Sequence, residues 1–253
     1  MKVITTKGII IKEYTVGESD KFISIFTKSN GKLMVNAPYA KKHNRGFASG
    51  TQLFVYGQFV LQEYKGNHKL LQVDIIEAFH PLRNDLIRLS YSAYILELID
   101  ATMEEYLYSP NTLRLIVRTF QAMCKEVVKP DLIRYIFELK HMCMIGFMPS
   151  LMTCNGCGIS YDKCATLYFD IAQGGLVCKN CSGPNPYRYE ISQGTLHTMQ
   201  YIISVHIDEL FMFQVSEKVL HELKKIMSAY ISYYIDKQFK TLKFLEDITA
   251  TKL

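Results

Sequence analysis

Phe22-Ile23-Ser24-Ile25-Phe26-Thr27-Lys28-Ser29-Asn30-Gly31-Lys32-Leu33-Met34-Val35 decides how the first third of the chain folds. β-Branched and aromatic residues fill both arms, and Asn30-Gly31 between them marks a hairpin, because both residues tolerate positive φ. Further extended runs surround it. Gly8–Tyr14 precedes it, and a loop from Ala37 to Gly50 follows. Gln52–Gln62 then forms a long strand with Gly57 as a bend, and Lys65–His68 turns the chain into Leu70–Ile76. Five antiparallel strands within residues 1–80 fit a small barrel, whose closure removes exposed edges.

From Pro81 the period becomes helical. Ile87, Tyr91, Tyr94 and Leu98, with Ile95 and Ile99, fall at helix-face spacings. Ser109-Pro110 is a cap followed by proline at the first helical position, where a missing N–H costs nothing. Pro130-Asp131 opens another helix, and Gly146 is its natural stop. Ser192 and Ser216 are predicted N-caps. The helix after Ser216 carries Leu220, Leu223, Met227, Tyr230 and Tyr234 on one stripe, which predicts a bundle core.

The sharpest motif lies between the helical blocks. Cys154-Asn155-Gly156-Cys157 is followed by Cys178-Lys179-Asn180-Cys181. Each Cys-x-x-Cys turn presents two thiolates to one ion, so Cys154, Cys157, Cys178 and Cys181 complete a tetrahedral shell that suits one structural Zn²⁺ per chain. An iron–sulfur cluster uses the same ligand set. Tyr168–Asp170 and Gly174–Val177 read as the hairpin that joins the pairs into a zinc ribbon. Four thiolates leave no position open for water, which argues against a catalytic metal. Cys164 is a spare thiol, and Cys124 and Cys143 fall on apolar helical faces. His141, His197, His206 and His221 fall on predicted helices and read as core or surface residues. No phosphate-binding glycine loop and no His-Glu-x-x-His motif occurs.

The chain has 253 residues, 49% of them hydrophobic and 12% aromatic, enough to bury a core and exclude wholesale disorder. No apolar run is long enough to span a bilayer. Lys7 interrupts the stretch a signal peptide needs, and the seven cysteines are an odd set. Together these features predict a soluble cytoplasmic protein without a disulfide framework.

Charge is uneven along the chain. Residues 1–80 hold 11 Lys and Arg against 6 Asp and Glu, whereas residues 81–253 hold 18 of each. The loop from Asn36 to Phe47 combines Tyr39, Lys41, Lys42, His43 and Arg45, a set that suits single-stranded nucleic acid: cations neutralise phosphates while rings stack on bases. Lys21 and Lys32 extend this track. Ordinary solvated lysines are the competing reading.

A basic five-stranded barrel, a helical domain and an inserted Cys₄ ribbon together resemble the RecO family of bacterial recombinational-repair mediators. Gly17-Glu18-Ser19-Asp20-Lys21, Phe26-Thr27, Gly31-Lys32, the basic loop Ala37–Lys42, Thr51-Gln52-Leu53-Phe54, Tyr56-Gly57, the paired Cys-x-x-Cys motifs and Leu242-Lys243-Phe244-Leu245 occur in that family's order. The resemblance implies an α+β multidomain chain: an OB-fold DNA-binding barrel over residues 1–80, an all-α domain over 81–150 and 186–253, and the zinc ribbon over 151–185. It further implies a non-enzymatic protein that binds single- and double-stranded DNA, anneals complementary strands and helps load RecA. The implied partners are RecR and the acidic tail of single-stranded-DNA-binding protein, with no membrane association and a cytoplasmic, nucleoid-associated location. DNA binding carries over to Lys41 and Lys42 as matched positions; Lys21, Lys32, Tyr39 and Arg45 rest on the physical argument. This chain has Pro38, Tyr39 and Asn44 where the family's loop has further basic residues and a glycine, which puts the number of phosphate contacts in doubt. Two other classes compete: a protein-interaction adaptor whose barrel is only a scaffold, and a metal-dependent nuclease.

Overall fold

β1 (Lys2–Val16) is long enough to serve two neighbours, and that property closes the barrel. The computed structural model describes residues 2–40 and 47–250. The N-terminal half of β1 pairs with β4 (Tyr56–Tyr64), and from Gly8 onward it pairs with β2 (Asp20–Thr27). β3 (Gly31–Ala37) continues from β2, β5 (Asn67–Glu77) pairs antiparallel with β4, and a short parallel contact joins β3 to β5. The closed order is β1-β2-β3-β5-β4. Ile10, Ile23, Ile25, Leu33, Val35, Phe59, Leu61 and Leu70 fill its interior; each such side chain contributes about 1.5–3 kcal/mol of burial.

Alternation along β3 is regular, with Leu33 and Val35 inward and Lys32 and Met34 outward. β1 breaks it. Ile9, Ile10 and Ile11 are all buried, because the pairing shifts register between Ile10 and Lys12 and α3 (Leu86–Thr102) packs on the strand's outer side.

Several local expectations are corrected. The hairpin at Asn30-Gly31 is not a two-residue turn. Thr27 pairs with Gly31, three residues form the loop, and only Gly31 has positive φ, at 61°. A Cβ on Gly31 would lie 2.4 Å from the Leu107 nitrogen, so this position requires glycine. The strand expected from Gln52 begins only at Tyr56, because Phe54 turns left-handed (φ 71°) and buries its ring edge-on against Phe120. The loop expected through Gly50 ends in one helical turn, α1 (Phe47–Gly50).

Two compact units divide the chain, residues 1–124 with 239–253 and residues 125–238. In the first, α2 (Pro81–Asn84) and α4 (Pro110–Lys125) join α3 beside the barrel, and α8 (Lys240–Ala250) returns to pack on α3. Glu97 fixes that return by accepting from the Thr241 hydroxyl at 2.6 Å. Asp100 of α3 accepts from two barrel lysines, Lys12 at 2.6 Å and Lys32 at 3.2 Å. Burial pushes the Asp100 carboxyl up, but the two ammonium groups outweigh it and hold the pKa below its ordinary 3.8. Asp100→Asn is therefore expected to cost about 2 kcal/mol at neutral pH. The wild-type advantage is complete above 3.8 and disappears as pH falls through the lower folded value. Denaturation midpoints of both proteins at pH 7 and pH 3 check this; a gap that does not narrow in acid refutes it.

In the second unit α5 (Pro130–Met144) ends as the sequence predicts. Gly146 (φ 98°) follows the helix, and the Phe147 N–H returns to the Met142 carbonyl at 2.8 Å. α6 (Gln193–Ser204) and α7 (Glu217–Tyr234) start at Ser192 and Ser216, whose hydroxyls accept from the amides of Thr195 and Val219. Lys140 donates to the carbonyls of Ile202, Ile203 and Val205, closing the end of α6. His206 is not on a helix; it precedes a single 3₁₀ turn. His141 is fully buried and stacked on Phe137, and burial pushes its pKa down to about 4, so it is neutral at pH 7. Among the described residues no helix is long and apolar enough to cross a membrane.

Candidate metal centre and nucleic-acid face

The ribbon is built on three short antiparallel strands, β6 (Leu167–Asp170), β7 (Gly175–Cys178) and β8 (Arg188–Ile191), in the order β7-β6-β8. β8 is a strand that hydrophobic periodicity did not reveal, because Arg188–Ile191 is only four residues long and half-buried. Asp170, with no exposed surface, holds the turn after β6. It receives Arg188 at 2.6 Å and the Gln173 amide at 3.1 Å. Tyr230 and Tyr234 of α7 donate to the carbonyls of Phe147 and Ile171, so part of the tyrosine stripe anchors the ribbon as well as filling a core.

The sulfurs of Cys154, Cys157, Cys178 and Cys181 all lie within 4.8 Å of one another. Four thiolates about 2.3 Å from one tetrahedral ion stand about 3.8 Å apart, and Cys157 and Cys178 are separated by 3.8 Å. The cluster can thus hold a metal ion with little rearrangement. The backbone supports the charged form. Burial acts to raise the Cys154 pKa, but the amides of Cys178, Cys157 and Gly156 outweigh it and bring the thiol down to about 6, while hydrogen bonds with Cys157, Cys178 and Cys154 push the neighbouring Cys181 thiol up to about 12. Gly156 is sterically required, since a Cβ there would lie 2.9 Å from the Cys181 Cβ. The Asn155 amide donates to the Leu176 carbonyl at 2.8 Å, stitching the first cysteine turn to the hairpin that carries the second. Cys164 packs against this cluster but is not among its four members, and its thiol donates to the Ser160 carbonyl.

The predicted nucleic-acid residues are scattered in role. Lys41, Lys42 and Arg45 lie outside the described residues. Tyr39 is exposed at the edge of that loop, with positive φ and its amide on Asp20. Lys21 sits at the same end of the barrel in an ion pair with Glu13; such solvent-facing pairs are weak and exchange readily. Lys32 is different. It donates to both the carbonyl and the carboxylate of Asp100, so its charge is used within the protein to join the barrel to α3.

Sequence reasoning missed an aromatic pair. Tyr14 and Phe22 stand opposite each other in the β1–β2 register, both exposed on the outer face, with Met34 diagonal to Phe22 on β3. The signal was present: Ile23 and Ile25 enter the core, so Phe22 must point the other way.

Family comparisons bear on the whole chain. The model for the N-terminal domain of recombination protein O matches residues 1–79, and the model for its C-terminal domain matches residues 83–243. The chain belongs to the RecO family. The DNA repair protein RecO of Acetivibrio thermocellus is 31% identical over 253 residues, covering 100% of both chains. That of Alkaliphilus metalliredigens is 31% identical over 246 residues, 97% of this chain and 99% of its own. That of Bacillus subtilis is 29% identical over 246 residues, 97% of this chain and 95% of its own. The barrel falls within the N-terminal RecO match and the four-cysteine cluster within the C-terminal one.

Proposed function

We propose that this RecO family member is a non-catalytic DNA-binding mediator of recombinational repair. It binds single- and double-stranded DNA through the barrel, anneals complementary strands and assists loading of RecA onto coated single strands. Its partners in that role are RecR and the acidic tail of single-stranded-DNA-binding protein, and its place is the cytoplasm at the nucleoid. Zn²⁺ is the ion best suited to the four thiolates. In that role it folds the ribbon and takes no part in turnover.

The observation that carries this reading is the exposed Tyr14–Phe22 pair on the outer β1–β2–β3 face, beside the end of the barrel from which the basic loop departs. Exposed aromatic faces suit unstacked bases, each stack being worth about 1–3 kcal/mol, while Lys41, Lys42 and Arg45, with Lys21, meet the phosphates. Tyr39 supplies a further ring at the loop's start.

An annealing assay with complementary oligonucleotides, bare and coated with single-stranded-DNA-binding protein, tests the reading. The wild type is expected to anneal both. The double variant Tyr14→Ala/Phe22→Ala is expected to lose about tenfold or more in single-strand affinity with an unchanged melting temperature, since neither ring is buried. Full affinity in this variant rejects the aromatic face.

A further inference from the structure

Cys164 is a fifth thiol beside the four that can hold a metal ion, and the fold keeps it there from both sides. Three residues after it, Leu167 pairs with Cys178 across β6 and β7. Four residues before it, Ser160 bridges to Thr153, and the Cys154 amide donates to the Ile159 carbonyl at 2.8 Å. A 3₁₀ turn over Tyr161–Lys163 delivers Cys164 between these two tethers. There it packs against the group formed by Cys154, Val177 and Cys178. Its thiol donates to the Ser160 carbonyl at 3.6 Å, so it carries its own proton and stays outside the coordinating set. With Cys157, Cys178 and Cys181 it lines a cavity of about 390 Å³. A small oxidant therefore reaches coordinating sulfurs and the free thiol through one opening. Lys163 and Lys179 line the same cavity, and cations near sulfur favour the thiolate, which is the reactive form.

We propose that this cavity is a peroxide-sensitive modification site, at which hydrogen peroxide oxidises the Cys178 thiolate and Cys164 closes a disulfide with it, removing one ligand from the ion. The proposal rests on the structural-metal reading above and adds a chemistry that reading does not use. In the first step the Cys178 sulfur attacks one peroxide oxygen. The O–O bond breaks, Cys178 becomes a sulfenic acid and hydroxide leaves. In the second step the Cys164 sulfur displaces the sulfenic oxygen, which departs as water with the Cys164 proton. Two electrons pass in all from the sulfur pair to the peroxide. Cys157, 3.8 Å from Cys178, is the rival partner. As a ligand it would have to leave the ion as well, whereas Cys164 has no such bond to break. The ion keeps three thiolates, an incomplete shell that water or a chelator can enter. A thiol reductant reverses the disulfide by exchange.

The test uses the full-length protein loaded with Zn²⁺, hydrogen peroxide and a chromogenic zinc chelator, with peptide mapping under non-reducing conditions. Wild type is expected to release its ion on oxidation, to carry a Cys164–Cys178 disulfide, and to take up Zn²⁺ again after dithiothreitol. Cys124 and Cys143, which are not among the residues lining the cavity, are expected to stay reduced. Cys164→Ser and Cys164→Ala are expected to hold Zn²⁺ and melt as the wild type does. Under peroxide they are expected to release the ion about tenfold more slowly and to accumulate sulfinic acid at Cys178. Release at the wild-type rate in both variants, or a Cys157–Cys178 disulfide in the wild type, overturns the role of Cys164 and leaves the metal reading intact. Loss of metal from the unoxidised variants also overturns it, since Cys164 would then be a ligand. Wild type that takes up no Zn²⁺ ends both readings.

Discussion

Replacing Cys157 or Cys181 with serine is expected to release the bound metal and lower the midpoint of thermal unfolding by about 10 °C or more. These two ligands are the informative ones. Cys154 and Cys178 are buried, so changing them would also disturb packing, whereas Cys157 is exposed and Cys181 half-buried. The effect of either serine then isolates coordination. The cysteine cluster itself has few apolar neighbours: Cys154 and Cys178 pack with Val177, and Cys164 and Cys181 lie against them. A bound ion would therefore supply much of what holds the two cysteine turns together. Elemental analysis of purified wild type and variant, beside calorimetry, checks the prediction. Wild type without one metal ion per chain, or a variant that melts with the wild type, removes the structural role. Gly156→Ala is expected to act in the same direction, because its methyl group would displace Cys181.

The triple variant Lys41→Ala/Lys42→Ala/Arg45→Ala is expected to bind single-stranded DNA about a hundredfold more weakly near physiological salt, and to lose about 2 from the salt slope. All three charges fall in one loop, where the first 45 residues carry 9 basic side chains against 3 acidic. Elsewhere in the barrel, two lysines of that surplus are tied to a single carboxylate, Asp100. The loop's cations are therefore the ones expected to dominate the affinity. A fluorescence anisotropy titration at several salt concentrations, with melting as the control for folding, measures the change. Equal affinity and equal slope in wild type and variant would exclude the loop as the main phosphate contact.

How much of this was legible beforehand differs from element to element. The four-cysteine site was complete in the sequence, because Cys-x-x-Cys spacing is a local property of one turn and the structure had only to bring two turns together. The N-caps at Ser192 and Ser216 and the stop at Gly146 were legible for the same reason. Phe54 was not. Its place in an apparently continuous apolar run suggested strand, yet contact with Phe120, 66 residues further on, selects a left-handed backbone that no local preference favours. The partner of Lys32 was hidden in a similar way. Charge composition marks it as a DNA contact, whereas Asp100, 68 residues away, takes up its ammonium group.

The amino-acid sequence alone determined the hairpin, most of the barrel's strands, the helical blocks and the cysteine ligands, since each depends on periodicities or spacings within a few residues of chain, whereas the family likeness rested on the order of motifs along the whole chain. Tertiary structure alone decided which lysines Asp100 takes up, which aromatic rings face outward, and that the last helix returns to α3. Those outcomes depend on neighbours distant in sequence: burial and electrostatic pairing act through space, and one-dimensional patterns do not encode which side chains meet.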